Sequence, residues 1–351
     1  MHHFLWGRGD LAQRANGYFD RVRPLARWHT SERQGYRGVR WPKMVGPPEK
    51  MVFADGFKLY TGPSGAGPWL LWQQPHPLVF AELAYRQRPG TAVLSQFNAT
   101  VHDTADFMAD FILHGPIERS GCRSLGPPVF TAEIESNEGH PATDTSNPTF
   151  SLAYWKYGLD LAITWRARLK LAPELYWQAA HDALCPVRPR HYAPAKSEVY
   201  FPYSNSSTFA PSKYATQLFA AVFAPVALSN RTVLRATLVQ AVKELKVLEG
   251  GLPWCCNYPM YAIAAARLGM PELAASLMLL PNSSMHDSTY RANGQCRMGN
   301  FLPVYTSANG ALLAAVAMLM GGWDGDGGGR LPGLPRDGSW DVEAEGFAKA
   351  L

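Results

Sequence analysis

The stretch Asn147–Leu171, NPTFSLAYWKYGLDLAITWRARLKL, decides the fold. Pro148 suits the first turn of a helix, where a missing N–H and a fixed φ do no harm. Beyond it, apolar residues fall on more than one side of the 3.6-residue period. That pattern describes a helix enclosed by neighbours, and it implies a core made of helices. The segments around it carry the same period. In the stretch 9–29, Leu11, Ala15, Tyr18, Val22 and Leu25 form one apolar stripe. HPLVFAELAYRQ reads as a helix over about 77–88, and TAVLSQFNATVHDTADFMADFIL as a long one over 91–113. Further helices follow in PELYWQAAHDAL, PSKYATQLFAAVF, NRTVLRATLVQAVKELKVL, YPMYAIAAARLG, PELAASLMLL and ANGALLAAVAMLMGG. About ten helices result, several with a Pro near the first turn. The best strand candidate is SEVYFPY, residues 197–203.

The chain has 351 residues, 47% hydrophobic, 17% charged and 12% aromatic, with a formal net charge of +5. The positive excess forms no Lys/Arg run, so a nucleic-acid partner is unsupported. No apolar run reaches the roughly 18 residues of a membrane span. The five cysteines match no zinc framework, and adjacent Cys255 and Cys256 are poorly placed to bond each other, which leaves room for one or two bridges elsewhere. Sequons occur at Asn98, Asn205, Asn230 and Asn282, against roughly one or two expected by chance. They lean toward a secreted or extracytoplasmic protein, although MHHFLWGRGD is not a signal peptide. Zinc-protease His pairs, phosphate-cradling Gly loops and nucleophile elbows are missing from the sequence. No cofactor or metal is implied. Asp103, Asp106 and Asp110 depart from the spacing of a helix-borne Asp-rich metal motif and read as including a solvated face. Asp324 and Asp326 hint at a calcium loop, but a Pro stands where the bidentate Glu belongs. The Gly/Pro-rich tail, 326–351, therefore reads as a flexible linker leaving a main domain of 1–325.

Four long loops carry the candidate chemistry, and loops of that length are usually functional. In GYRGVRWPKMVGPP, Arg40 and Lys43 could grip hydroxyls or an anion and Trp41 could stack on a ring; the alternative is a loop packed over the helices. In GPWLLWQQPHPLVFAELAY, Trp72 offers a platform and Gln73, Gln74 and His76 hydroxyl-reading groups before a helix, with Glu82 inside that helix; His76 could equally cap it. The third loop places Glu133 and Glu135 after the apolar approach PPVFTA, with Glu138 in a more polar turn. A catalytic acid needs surroundings that raise its pKa, which favours the first two. In the fourth, Trp254, Asn257 and Tyr258 surround a helix start and suit either a carbohydrate site or helix capping.

Helical hairpins with ornate loops on one side suggest an all-α, (α/α)6-type toroid whose loops form a cleft at one end. GYRGVRWPKMVGP, WQQPHPLVFAELAY, NPTFSLAYWKYGL and YPMYAIAAARLG together resemble the catalytic region of six-hairpin glycosidases, near glycoside hydrolase family 65. The resemblance implies an oligosaccharide or glycoside substrate and a Glu general acid, best matched by Glu133, or by Glu135 if the register shifts by two. It also implies an N-terminal β-sandwich and twelve barrel helices, so this chain reads as an incomplete barrel lacking its N-terminal part. An inverting hydrolase needs a second carboxylate about 6.5–9.5 Å from the acid. Asn257 stands where an acidic residue is expected, and Asp287 is the other candidate. A phosphorylase, which needs no base, and a degenerate sugar-binding barrel stay open.

Overall fold

The computed structural model describes residues 1–42, 69–131, 142–210, 215–224, 230–280, 282–283, 288–291, 293–298 and 303–351. It is mostly helical. Its helices are α1 (His2–Leu5), α2 (Gly9–Trp28), α3 (His76–Gln87), α4 (Thr91–Leu113), α5 (Thr149–Arg168), α6 (Leu175–Ala183), α7 (Phe219–Phe223), α8 (Arg231–Glu244), α9 (Asn257–Arg267), α10 (Pro271–Leu279) and α11 (Thr306–Gly321). The short strands are β1 (Arg190–Tyr192), β2 (Ser197–Val199), β3 (Asn282–Ser283), β4 (Ser288–Tyr290) and β5 (Cys296–Met298). The chain divides into two compact units. One holds residues 10–187 and 202–207; the other holds 1–9, 188–201 and 208–351.

In the first unit, α4 and α5 pack against each other, with α3 and α6 against both. The enclosed helix anticipated around Asn147–Leu171 is α5, and Phe150, Leu152, Tyr154, Trp155, Leu159, Ala162 and Trp165 are buried around its circumference. Gly158 permits the closest approach: a Cβ there would lie 2.9 Å from the Pro75 ring and 3.1 Å from the Met108 methyl. The apolar stripe of α2 is used as expected, with Tyr18, Val22 and Leu25 packed around Val39 and Trp41.

The acidic row on α4 corrects the sequence reading. Asp103, Asp106 and Asp110 are all buried. Their spacing puts them on one helix face, but that face meets donors rather than water. Arg23 and Arg27 of α2 reach Asp103 at 3.2 and 3.0 Å. The indole of Trp177 in α6 donates to Asp106 at 2.8 Å. Asp110 accepts from the Arg37 backbone N–H at 2.9 Å and from the Tyr176 hydroxyl at 2.5 Å. The segment after α2 lies directly on the same face: Val39 N–H donates to the Asp103 carbonyl at 2.8 Å. Gly38 makes this possible, with φ +69° and no side chain; a Cβ would sit 2.2 Å from the Asp103 carbonyl oxygen. A disulfide, Cys122–Cys185, joins the turn after α4 to the end of α6, beside the Cys185 N–H bond to the Arg123 carbonyl at 2.9 Å.

In the second unit, α9 is the buried helix, packed by α7, α8, α10 and α11. SEVYFPY forms a strand only over β2, which pairs antiparallel with β1 in the register Arg190↔Val199 and lies against α8. A three-stranded antiparallel sheet runs in the order β3-β4-β5. The tail is not the free linker that its composition suggested. Ala348 N–H donates to the Leu5 carbonyl at 2.9 Å, Ala350 N–H to Gly322 at 3.0 Å, and Ala350 and Leu351 are buried. Its Phe347 meets Trp6 edge-on at 4.8 Å. Asp326 is no cation loop: its oxygens accept from Trp323 N–H, Gly328 N–H and the Lys349 ammonium. Backbone pairing, which leaves no side-chain period, is part of what holds this segment.

Gly38→Ala should destabilise the protein by about 2–4 kcal/mol, combining left-handed backbone strain with overpacking against α4. Urea unfolding followed by circular dichroism checks this, and a change below about 0.5 kcal/mol, the scale of an ordinary surface substitution, would contradict the close approach.

Candidate functional site

The first-unit site grows from Trp41. This residue, expected as a stacking platform, is buried at 3% exposure. Its indole donates to Thr104 of α4 at 2.8 Å and its ring meets Phe19 edge-on at 5.0 Å. Its backbone is clamped from the second loop. The Trp41 N–H donates to Gln74 Oε1 at 2.8 Å, while Gln73 and Gln74 both donate to the Trp41 carbonyl, Gln73 at 2.9 Å. The same Gln73 amide donates to the Leu70 carbonyl at 3.0 Å. Gln74 and the amide nitrogen of Gln73, expected to read a ligand, thus join two loops. Arg40 is half-buried, with its N–H on Thr30 at 2.9 Å and its guanidinium 6.0 Å from the Phe107 ring centre.

That clamp fixes the turn that leads into α3. Trp72 and His76 stand edge to face at 5.3 Å, Phe80 lies 5.7 Å from His76, and Phe150 lies 6.0 Å from Trp72. Phe150 in turn stacks on Tyr154 at 5.4 Å. The Tyr154 hydroxyl and His76 Nδ1 are 2.6 Å apart. Burial pushes the imidazole well below its ordinary value of 6.5 and the Tyr154 phenol well above 10, so both are neutral at pH 7. The indole of Trp155 donates to the Leu71 carbonyl at 2.8 Å. Ser151 lies one turn before Tyr154 and Trp155, on the α5 face that meets this segment. Among the described residues, three buried polar atoms here have no hydrogen-bond partner: Trp72 Nε1, Gln73 Oε1 and Ser151 Oγ. Buried polar groups are normally satisfied, so each of these three atoms lacks its usual partner.

The third loop begins and ends beside this cluster. Phe130 stacks on Trp69 at 5.7 Å, with its N–H on the Trp69 carbonyl at 2.8 Å. Val129 N–H donates to the Ala142 carbonyl at 3.0 Å, which brings the two ends of segment 132–141 together. Asn147, at φ +51°, exchanges hydrogen bonds with Leu125 just before α5. Glu133 and Glu135 lie outside the described residues, as do Lys43, Asp287 and Glu138.

Other candidates fall elsewhere. Glu82 is buried at 2% exposure and paired with Arg168 through both oxygens and with Arg86 at 2.9 Å. Burial alone would raise its pKa, but the hydrogen bonds and charges of Arg168 and Arg86 outweigh that and lower it. It is an α3–α5 ion pair rather than a ligand group. Trp254, Asn257 and Tyr258 belong to the second unit. There Asn257 Oδ1 accepts from Trp254 N–H at 3.2 Å and the Tyr258 hydroxyl accepts from Leu252 N–H at 3.3 Å, so both hold the loop before α9 rather than cap the helix, whose N-cap makes no side-chain bond. Sequence reasoning missed Ser151 and the ring contribution of Phe150 and Tyr154. They lie in a stretch read only as a buried helix, where a serine among apolar residues has no periodic signal. Neither the models of known protein families nor the curated proteins contain a match to this chain.

The His76 shift sets a pH dependence. Its folded pKa lies below the unfolded value, so the unfolded state binds more protons and stability falls as pH drops below 6.5. The slope from this group is at most ~1.4 kcal/mol per pH unit. His76→Gln should flatten the thermal midpoint between pH 6.5 and 5 relative to wild type, and an unchanged slope would contradict the assignment. Glu82 acts lower: its lowered pKa contributes stability that is present above about 4.5 and lost as pH falls further. Glu82→Gln takes the carboxylate from part-buried Arg168 and exposed Arg86 and should cost about 1–3 kcal/mol at pH 7, the scale of lost hydrogen bonds to charged groups, read by urea unfolding.

Proposed function

We propose that this protein cleaves glycosidic bonds in oligosaccharides by an inverting, general-acid mechanism, on an (α/α)6-type toroid. The observation that carries this reading is the cluster at the start of α3 and α5. Three loops selected from the sequence for sugar chemistry meet there, around aromatic rings and unpartnered neutral polar atoms. Trp72, Phe150 and the neutral His76 suit the apolar faces of a sugar, and Trp72 Nε1, Ser151 Oγ and Gln73 Oε1 suit its hydroxyls. In this reading Glu133 of segment 132–141 donates its proton to the glycosidic oxygen as the bond from the anomeric carbon breaks. Water adds from the opposite face and gives up a proton to a base. The two disulfides fit an oxidising compartment, as the sequons do.

A second reading is a non-catalytic sugar-binding protein. It is favoured by the neutrality of the described polar groups at the cluster, none of which is a carboxylate. A screen of α-linked gluco- and fuco-disaccharides, with and without phosphate, separates hydrolysis, phosphorolysis and binding alone.

Removing a general acid costs about 10²–10⁴-fold in rate. Glu133→Gln should therefore abolish turnover of substrates with poor leaving groups and largely spare activated aryl glycosides, whereas Glu135→Gln and Glu138→Gln should do neither. The leaving-group signature in Glu135→Gln, with Glu133→Gln fully active, would move the acid by two residues. Its absence from all three would remove this loop from the chemistry.

A further inference from the structure

The second unit holds three cysteines in one buried cluster, two of them joined by a disulfide. Cys255 and Cys296 form a disulfide that joins the start of α9 to β5. Cys256, the next residue, is a buried thiol at the N-cap of α9. Cys255, Cys256, Cys296, Met298 and Ala308 pack together, with Trp254, Tyr290 and Tyr305 around them. Two tyrosines bracket both the thiol and the disulfide. Tyr305 places its hydroxyl 4.0 Å from Cys256 Sγ, and its N–H donates to the Cys296 carbonyl at 2.9 Å. Tyr290 sits opposite Cys296 in the β4–β5 register. Tyr290 also packs against the cluster, with its hydroxyl donating to the Ala308 carbonyl at 2.9 Å.

We propose that Cys256 exchanges with the Cys255–Cys296 disulfide, so that the chain alternates between two isomers that differ by one residue in the attachment of α9 to β5. The Cys256 thiolate attacks Cys296 Sγ, the Cys255–Cys296 bond breaks, and a Cys256–Cys296 bond forms. Cys255 leaves as a thiolate and takes up the proton that Cys256 lost. One disulfide and one thiol stand on each side, so no oxidant or reductant is consumed. Attack on Cys255 Sγ instead would join adjacent residues, and that product is disfavoured by geometry. The consequence falls on the turn that Trp254 and Asn257 close with reciprocal bonds at 3.0 and 3.2 Å. Moving the tether from Cys255 to Cys256 pulls on that turn directly, so exchange sets the positions of Trp254 and Asn257.

The test uses the full-length protein, incubated at pH 8 in a dilute glutathione redox buffer, acid-quenched, alkylated with N-ethylmaleimide and mapped by fragmentation between residues 255 and 256. Wild type should yield both isomers, with alkylated Cys255 rising from none to a plateau of about 1–10% of chains, the population of an accessible minor state. Cys256→Ser should abolish this signal. Cys255→Ser should retain a disulfide to Cys296, now made by Cys256, and show no alkylation at Cys296. Cys256 as the sole alkylated residue of wild type at every time overturns the proposal, whatever the variants do.

Discussion

Three buried carboxylates on one face of α4 are the constraint on which the first unit depends. Asp103, Asp106 and Asp110 each bind a different part of the chain: the arginines of α2, the indole of α6, and the backbone of the segment after α2 together with a second α6 side chain. A buried carboxylate left without donors is strongly unfavourable, so each acts as a demand that one particular neighbour be present. The result reaches beyond the helices. Once residues 37–39 are held on α4, Trp41 falls into its slot on Thr104, Gln73 and Gln74 close on the Trp41 backbone, and the Trp72–His76 turn is fixed in front of α5. The aromatic cluster is therefore positioned by ion pairs and hydrogen bonds on the far side of a loop that contributes none of its own rings to it.

Much of the helical framework was legible. The 91–113 helix matches α4 residue for residue, α3 is displaced by a single position, and the enclosed character of α5 could be read from apolar residues on several sides. Periodicity identifies a face but not what covers it, which is why the α4 acids read as partly solvated and are buried. The same limit applies to Trp41. A tryptophan between glycines and prolines has no helical face to betray its burial, and its slot is built by Thr104 and two glutamines from distant positions. The tail failed for a different reason. Its contacts with Leu5 and Gly322 are made by the backbone, and composition alone cannot distinguish such a segment from a linker. The division into two units was also invisible, because residues 1–9 join the second unit through tertiary contacts such as Trp6 with Leu313 and Phe347.

The candidate site was legible in its loops and less so in its atoms. Trp72 and His76 stand in ring contact, while Trp41, Gln73 and Gln74 tie the neighbouring loops together. The chemistry left open at the cluster is neutral: an indole donor, a serine hydroxyl and an amide oxygen, surrounded by rings. Such groups suit hydroxyls rather than salts, and in the proposed function they would orient a sugar while a carboxylate from a neighbouring segment cleaves the bond. Segment 132–141, whose ends are tied at Val129 and Ala142 beside Trp69, carries the glutamates suited to that task.

The central claim is that this cluster receives a sugar through the unpartnered indole of Trp72. Isothermal titration of wild type and Trp72→Phe with a panel of gluco- and fuco-configured oligosaccharides tests it most directly, because phenylalanine keeps a ring and removes only the donor and part of the stacking area. The account predicts saturable binding by wild type to at least one member of the panel, weakened about tenfold or more in Trp72→Phe, the cost of a lost hydrogen bond to a buried group. Equal affinity in the two proteins, or no binding to any of the panel, would contradict it.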